Sequence, residues 1–101
     1  MKPSEYVRKG WTQHAWARDI HNEKVPPHSP LAVAWCVSGA IIAAIRNEFD
    51  QEAFFKTAHF LLGDRTLGAW NDGPGRTQHE AISALEEVEK LLPVGLTGGT
   101  E

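Results

Sequence analysis

The sequence predicts a mainly α-helical fold: a central apolar helix packed by two amphipathic helices, with a short N-terminal helix and long loops. Together these make one small domain over residues 1–93, followed by a flexible tail over 94–101. Three observations carry this expectation. Residues 31–45 hold no charge and, Ser38 and Gly39 apart, only Ala, Val, Ile, Leu, Trp and Cys. A helix there is apolar all round and has to be covered on every side. Phe54, Phe55, Ala58, Leu61 and Leu62, and again Ala81, Ile82, Leu85, Val88, Leu91 and Leu92, recur at helical spacing. Thr77 and Glu80 form a capping box, in which hydroxyl and carboxylate each satisfy a backbone N–H at a helix start.

Along the chain, Pro3 to Lys9 makes a short helix with Tyr6 and Val7 as the inward candidates, and Gly10 is expected to stop it in a left-handed conformation. Trp11 to Asp19 is ambiguous: Ala15 and Ala17 favour a helical continuation, but Trp11, Gln13 and Ala15 alternate with Thr12, His14 and Trp16, and the segment reads as irregular or extended with the helix as the alternative. The run from Ile20 to Pro30 contains three prolines, each of which keeps its predecessor out of the helical region, and so is a loop. Ser29 and Pro30 then read as N-cap and first residue of the central helix, which runs to about Asn47 with Arg46 at its negative end. Gly39 costs that helix about 1 kcal/mol relative to alanine. The compensation expected is close approach of another backbone to Ser38, Gly39 and Ala40. Asp50 is placed to cap a third helix, Gln51 to Leu62, stopped by Gly63. After a short turn around Thr66 to Trp70, the last helix opens at Thr77, carries Glu86 and Lys90 as an exposed pair, and ends at Pro93.

Composition narrows the function classes. With 101 residues and 42% apolar side chains, including four Trp and four Phe, the chain can bury about two-thirds of its unfolded surface in one core. Ten basic against thirteen acidic residues leave a net charge of −3, which does not suit general binding to a phosphate backbone. A single cysteine makes no internal disulfide, so the cytoplasm is the expected compartment. The first ten residues lack the apolar run of a secretory signal, and fifteen apolar residues fall short of the roughly twenty that span a bilayer.

Three groups of residues stand together in order and spacing: Gly10, Trp11 and Gln13 with Ala17, Arg18 and Asp19; Ala34, Trp35 and Cys36 with Gly39 and Ala40; and Ala69, Trp70, Asn71 and Asp72 running through Gly75, Arg76 and Thr77. This pattern resembles a family of small proteins of unknown function found in bacteria and their phages, from Gly10 to Leu92. At His14, Ala15 and Trp16 the sequence departs from it. The resemblance implies a small, mainly helical domain and no assigned reaction.

Among candidate residues, Cys36 has histidines available as bases and Asn71 or Asp72 as orienters, the inventory of a thiol hydrolase. Two turns inside an apolar helix, however, a cysteine behaves as a small hydrophobe. His14, His21 and His28 recur every seven residues, but a proline-rich loop gives that interval no helical meaning, and no zinc ligand pattern is present. No metal or cofactor is indicated. Trp70, Asn71, Asp72 and Arg76, before the positive end of the last helix, suit an anionic group, although turn chemistry alone also accounts for them. Arg18 and Asp19 either complete that site or lock the loop to the core. Trp11 and Trp16 are core residues or, if exposed, anchors for a partner. The expectation is an interaction or accessory module acting through Trp11, Gln13, Trp16, Arg18 and Asp19 with the Trp70 to Arg76 loop. The alternatives are a small-ligand binder or enzyme using that loop, and a structural subunit of a homo-oligomer.

Overall fold

The computed structural model describes residues 1–63 and 66–93. The tail expected over 94–101 lies outside the described residues. The chain runs α1 (Pro3–Lys9), β1 (Ala17–Arg18), β2 (Lys24–Val25), β3 (Ala34–Trp35), α2 (Val37–Ala44), α3 (Glu48–Leu62), α4 (Leu67–Asn71) and α5 (Gln78–Leu91), a mainly helical fold with a small sheet. No helix among the described residues is long and apolar enough to cross a membrane.

The apolar segment 31–45 departs from expectation in its first half. Instead of one helix from Pro30 to Asn47, residues 34–35 form a strand and α2 begins only at Val37, with Cys36 as its N-cap. Two facts account for this. Ser29 and Pro30 are spent in a turn, where the Ser29 hydroxyl accepts from the Leu31 N–H. Ala34 and Trp35 find antiparallel partners in Arg18 and Ala17. Leu31 and Val33 accordingly remain exposed, whereas Val37, Ala40, Ile41, Ala43, Ala44 and Ile45 are buried, so the covered hub is the second half of the segment. Ile45 ends α2 in an extended conformation, leaving Arg46 beyond its last turn.

The sheet has the order β2-β1-β3, both pairs antiparallel, with Ala17 opposite Val25 and Trp35, and Arg18 opposite Lys24 and Ala34. Alternation along each strand puts Ala17, Val25 and Trp35 against the core, and Arg18, Lys24 and Ala34 on the other face. The β1–β2 turn is held by Asp19, whose Oδ1 accepts from the His21 and Glu23 N–H groups, both at 2.9 Å. Beyond β3 the chain is covered again: Trp35 N–H donates to the Gly10 carbonyl and Thr12 N–H to the Trp35 carbonyl. Gly10 is therefore extended, with φ −174°, and not left-handed. Its lack of a side chain serves proximity, since a Cβ there would lie 2.2 Å from the Val33 oxygen.

Helix α1 packs between α2 and α5, a more central place than its seven residues suggest. Its Val7 is fully buried. A carboxylate from α5 serves its first turn: Glu89 accepts from the Ser4 N–H at 2.9 Å and the Ser4 hydroxyl at 2.7 Å. On the core side, Tyr6 meets Trp35 edge-on at 4.9 Å. Helix α3 starts one turn earlier than expected because Asn47, not Asp50, caps it, accepting from the Phe49 and Asp50 N–H groups. It buries Phe54 and Ala58, leaves Leu61 39% exposed, and ends at Gly63 with φ 89°. Phe54 packs with Ile41 of α2 and Leu85 of α5 in the same buried cluster, and each such side chain stabilises the fold by about 1.5–3 kcal/mol. The Thr77 and Glu80 box opens α5 as expected. The exposed pairs differ from expectation: Glu86 meets Arg8 of α1 at 3.1 Å, and Lys90 pairs with Glu87 at 3.2 Å instead of with Glu86, so α5 gains a tie to α1 and keeps a local pair with a changed partner.

Candidate binding site

Asn71, at the end of α4, is fully buried and joins three separate parts of the chain. Its Oδ1 accepts from the Trp11 indole at 2.8 Å and from the Val37 N–H, the first of α2, at 3.0 Å. Its amide nitrogen donates to the Thr12 carbonyl at 3.0 Å and to Asp72 Oδ1 at 3.1 Å. An amide has two acceptor and two donor positions, and all four are filled. Gln13 strengthens the same junction, donating to the carbonyls of Asn71 at 2.9 Å and Gly73 at 3.2 Å. Trp70 lies partly buried against the core, with the Arg76 guanidinium 4.0 Å above its ring. Arg76 also donates to the Trp70 carbonyl at 2.9 Å and approaches Glu80 at 3.4 Å.

The structure thus brings Trp11, Gln13, Trp70, Asn71, Asp72 and Arg76 together, but most of their polar atoms face one another. Arg18 and Asp19 serve a different segment. Arg18 donates to the Thr12 hydroxyl and to the carbonyls of Gln13 and Asn22, while Asp19 holds the β1–β2 turn.

The space left open lies beside this junction. A cavity of about 470 Å³ is lined by His14, Ala15, Trp16, Lys24, Cys36, Ser38, Gly68 and Asp72. One wall comes from the bend at residues 14–16, where His14 is left-handed at φ 64°. Asp72 holds that bend, its Oδ1 accepting from the His14 N–H at 2.9 Å and its Oδ2 standing 3.5 Å from the imidazole Nδ1. The outer face of the sheet contributes Lys24, and the start of α2 contributes Cys36 and Ser38. Trp16 is 61% exposed, whereas Trp11, Trp35 and Trp70 all belong to or pack on the core.

Cys36 is only 4% exposed, and its Sγ accepts from the Gly39 N–H at 3.2 Å. Burial pushes the thiol above its ordinary range. Hydrogen bonds from the Gly39 and Ser38 backbones oppose the shift, and the nearby Asp72 charge adds to it. A thiol kept protonated in this way is a poor nucleophile. Among the described residues no group of three His, Cys, Asp or Glu side chains converges on a metal position.

Lys24 and Ser38 enter the site unforeseen, because only strand pairing brings residue 24 beside residue 38. His14 was visible only as a member of a histidine series. The signal that did exist was Gly39, whose missing side chain admits the Trp16 backbone and so sets the edge of the cavity.

No curated protein and no solved structure matches the chain. A family model described as a family of unknown function (DUF6197) matches residues 5–91, which include every residue lining the cavity. Matched over that length, the chain belongs to this family.

Proposed function

We propose that the protein is a binding module that works in the cytoplasm and takes a protein partner at Trp16 and the cavity beside it. The observation that carries this reading is the exposure of Trp16, 61%, in a protein that ties its other three tryptophans into the core. Tryptophan combines a large apolar surface with one N–H donor and is enriched among the residues that dominate interface energies. Ile20 and Val33 are also exposed, at the other end of the β1–β3 pair from Trp16. The cavity behind the indole falls within the range of ligand pockets and would accept a side chain of the partner. Lys24 and the Asp72–His14 pair supply charges of both signs at its edge.

Selection from a random peptide display library tests this. Enriched peptides should bind the native protein, shift the NMR signals of His14, Trp16 and Ser38, and lose binding to the Trp16→Ala variant. Failure to enrich any peptide, or enrichment indifferent to Trp16, refutes the reading. A small polar ligand in the same cavity is the second reading, favoured by the Asp72 and His14 groups on its wall. A fragment library screened by the same NMR signals would support it if fragments bind where peptides do not.

A further inference from the structure

The protein also presents a second apolar feature, on α3. Phe49 and Phe60 are 83% and 85% exposed, two of the four phenylalanines in the chain. Eleven residues of helix turn close to three full revolutions, so both rings stand on one face about 16 Å apart along the axis. Between them on that face lie Glu52 and Lys56, paired at 3.3 Å.

We infer that this face associates with a second copy of itself, α3 against α3 in antiparallel orientation about a two-fold axis. The pattern of the face argues for the occupant. In an antiparallel pair centred between Phe54 and Phe55, Phe49 of each copy meets Phe60 of the other, so both pairs of rings are buried at once. The same rotation brings Glu52 of each copy beside Lys56 of the other, making an alternating cluster of four charges. A parallel pair would set Glu52 on Glu52 and Lys56 on Lys56. Antiparallel helices also oppose their dipoles. Such self-complementarity is what a closed two-fold dimer requires. One helix face is smaller than the roughly 800 Å² per partner of a standard interface, so the dimer forms in a concentration-dependent equilibrium. This surface is separate from the cavity lining, and its test does not depend on the function of Trp16.

Sedimentation equilibrium of the full chain, from low to high micromolar concentration, measures the association. The expected result is a monomer–dimer equilibrium weakened about tenfold or more by Phe60→Asp and by Phe49→Asp, with the melting temperature of the dilute monomer unchanged because both rings are exposed. Glu52→Lys and Lys56→Glu should each weaken self-association. Mixed together, these two variants should form a heterodimer, since one then presents two cations and the other two anions. A protein that stays monomeric throughout overturns the inference. A dimer indifferent to all four substitutions overturns it as well.

Discussion

Gly39 lies so close to Trp16 that a Cβ on the glycine would sit 2.0 Å from the tryptophan's carbonyl oxygen and 2.8 Å from its carbonyl carbon. That same oxygen accepts the Cys36 N–H at 3.1 Å, so the approach is fixed by a hydrogen bond on the same pair of segments. Gly39→Ala is helix-favouring by intrinsic propensity, yet it has to force the two backbones apart. It should lower stability by about 3 kcal/mol in chemical denaturation, because backbone has little room to yield. A neutral or stabilising result would contradict the packing described.

The Asn71 junction makes a prediction with two parts. Asn71→Ala leaves the Trp11 and Val37 N–H groups and the Thr12 carbonyl without a partner, and should cost about 3–5 kcal/mol. Asn71→Asp keeps the shape and both acceptor bonds, but turns a carboxylate oxygen toward the Thr12 carbonyl and the Asp72 carboxylate. Its loss should be comparable at neutral pH and should shrink on acidification, as followed by thermal melts across a pH series.

Glu89 and Glu80 should respond to pH in opposite senses. Burial holds Glu89 above the usual carboxylate range despite its two bonds from Ser4. Its contribution is therefore full below the unfolded-state pKa and is lost as pH rises through the folded value. Glu80 is pulled down, chiefly by the Thr77 N–H, so its contribution is present above the unfolded-state pKa and is lost as pH falls through the folded value. Comparing Glu89→Gln and Glu80→Gln with the native protein by urea unfolding between about pH 3 and pH 7 should reveal difference curves of opposite slope.

Thiol reactivity should follow the burial of Cys36. With the sulfur engaged by Gly39 and the thiol pushed up by desolvation, labelling of the native protein at pH 8 should be far slower than labelling in denaturant. Fast native labelling, timed by mass spectrometry, would show an accessible thiolate and reopen nucleophilic chemistry in the cavity.

Tryptophan substitutions should separate the two kinds of indole. Trp16→Ala removes an exposed ring and should change stability by no more than about 0.5 kcal/mol. Trp11→Phe keeps an aromatic ring but is smaller and removes the donor to Asn71, and should cost about 1–3 kcal/mol. Equilibrium unfolding of the two variants side by side measures the contrast.

Elements whose causes are local were legible in the sequence. The capping box at Thr77 and Glu80, the stop at Gly63 and the short helix from Pro3 need only near neighbours, and they stand where residue chemistry puts them. The long apolar run misled because apolar character says that a segment is covered without saying by what. Residues 34–35 are covered as a strand, and the reason is their pairing with Arg18 and Ala17, far back in the sequence. The tight approach expected at Gly39 was readable from the glycine, whereas its partner Trp16 was not. The site was legible in part for the same reason. Asp72 and Trp16 could be singled out by type, but their meeting with Lys24 and Ser38 depends on the sheet. Asn71 and Arg76 suited either a ligand or turn structure, and they make hydrogen bonds within the chain.

The walls of the cavity come from residues 14–16, 24, 36, 38, 68 and 72, stretches far apart in sequence that meet only in the folded chain, where Asp72 holds the bend at His14. No excised peptide or grafted loop can carry this surface to another scaffold, and a nascent chain lacks it until α4 has been made. Under the proposed function, binding at this place would therefore depend on the assembled tertiary structure and not on any one stretch of sequence.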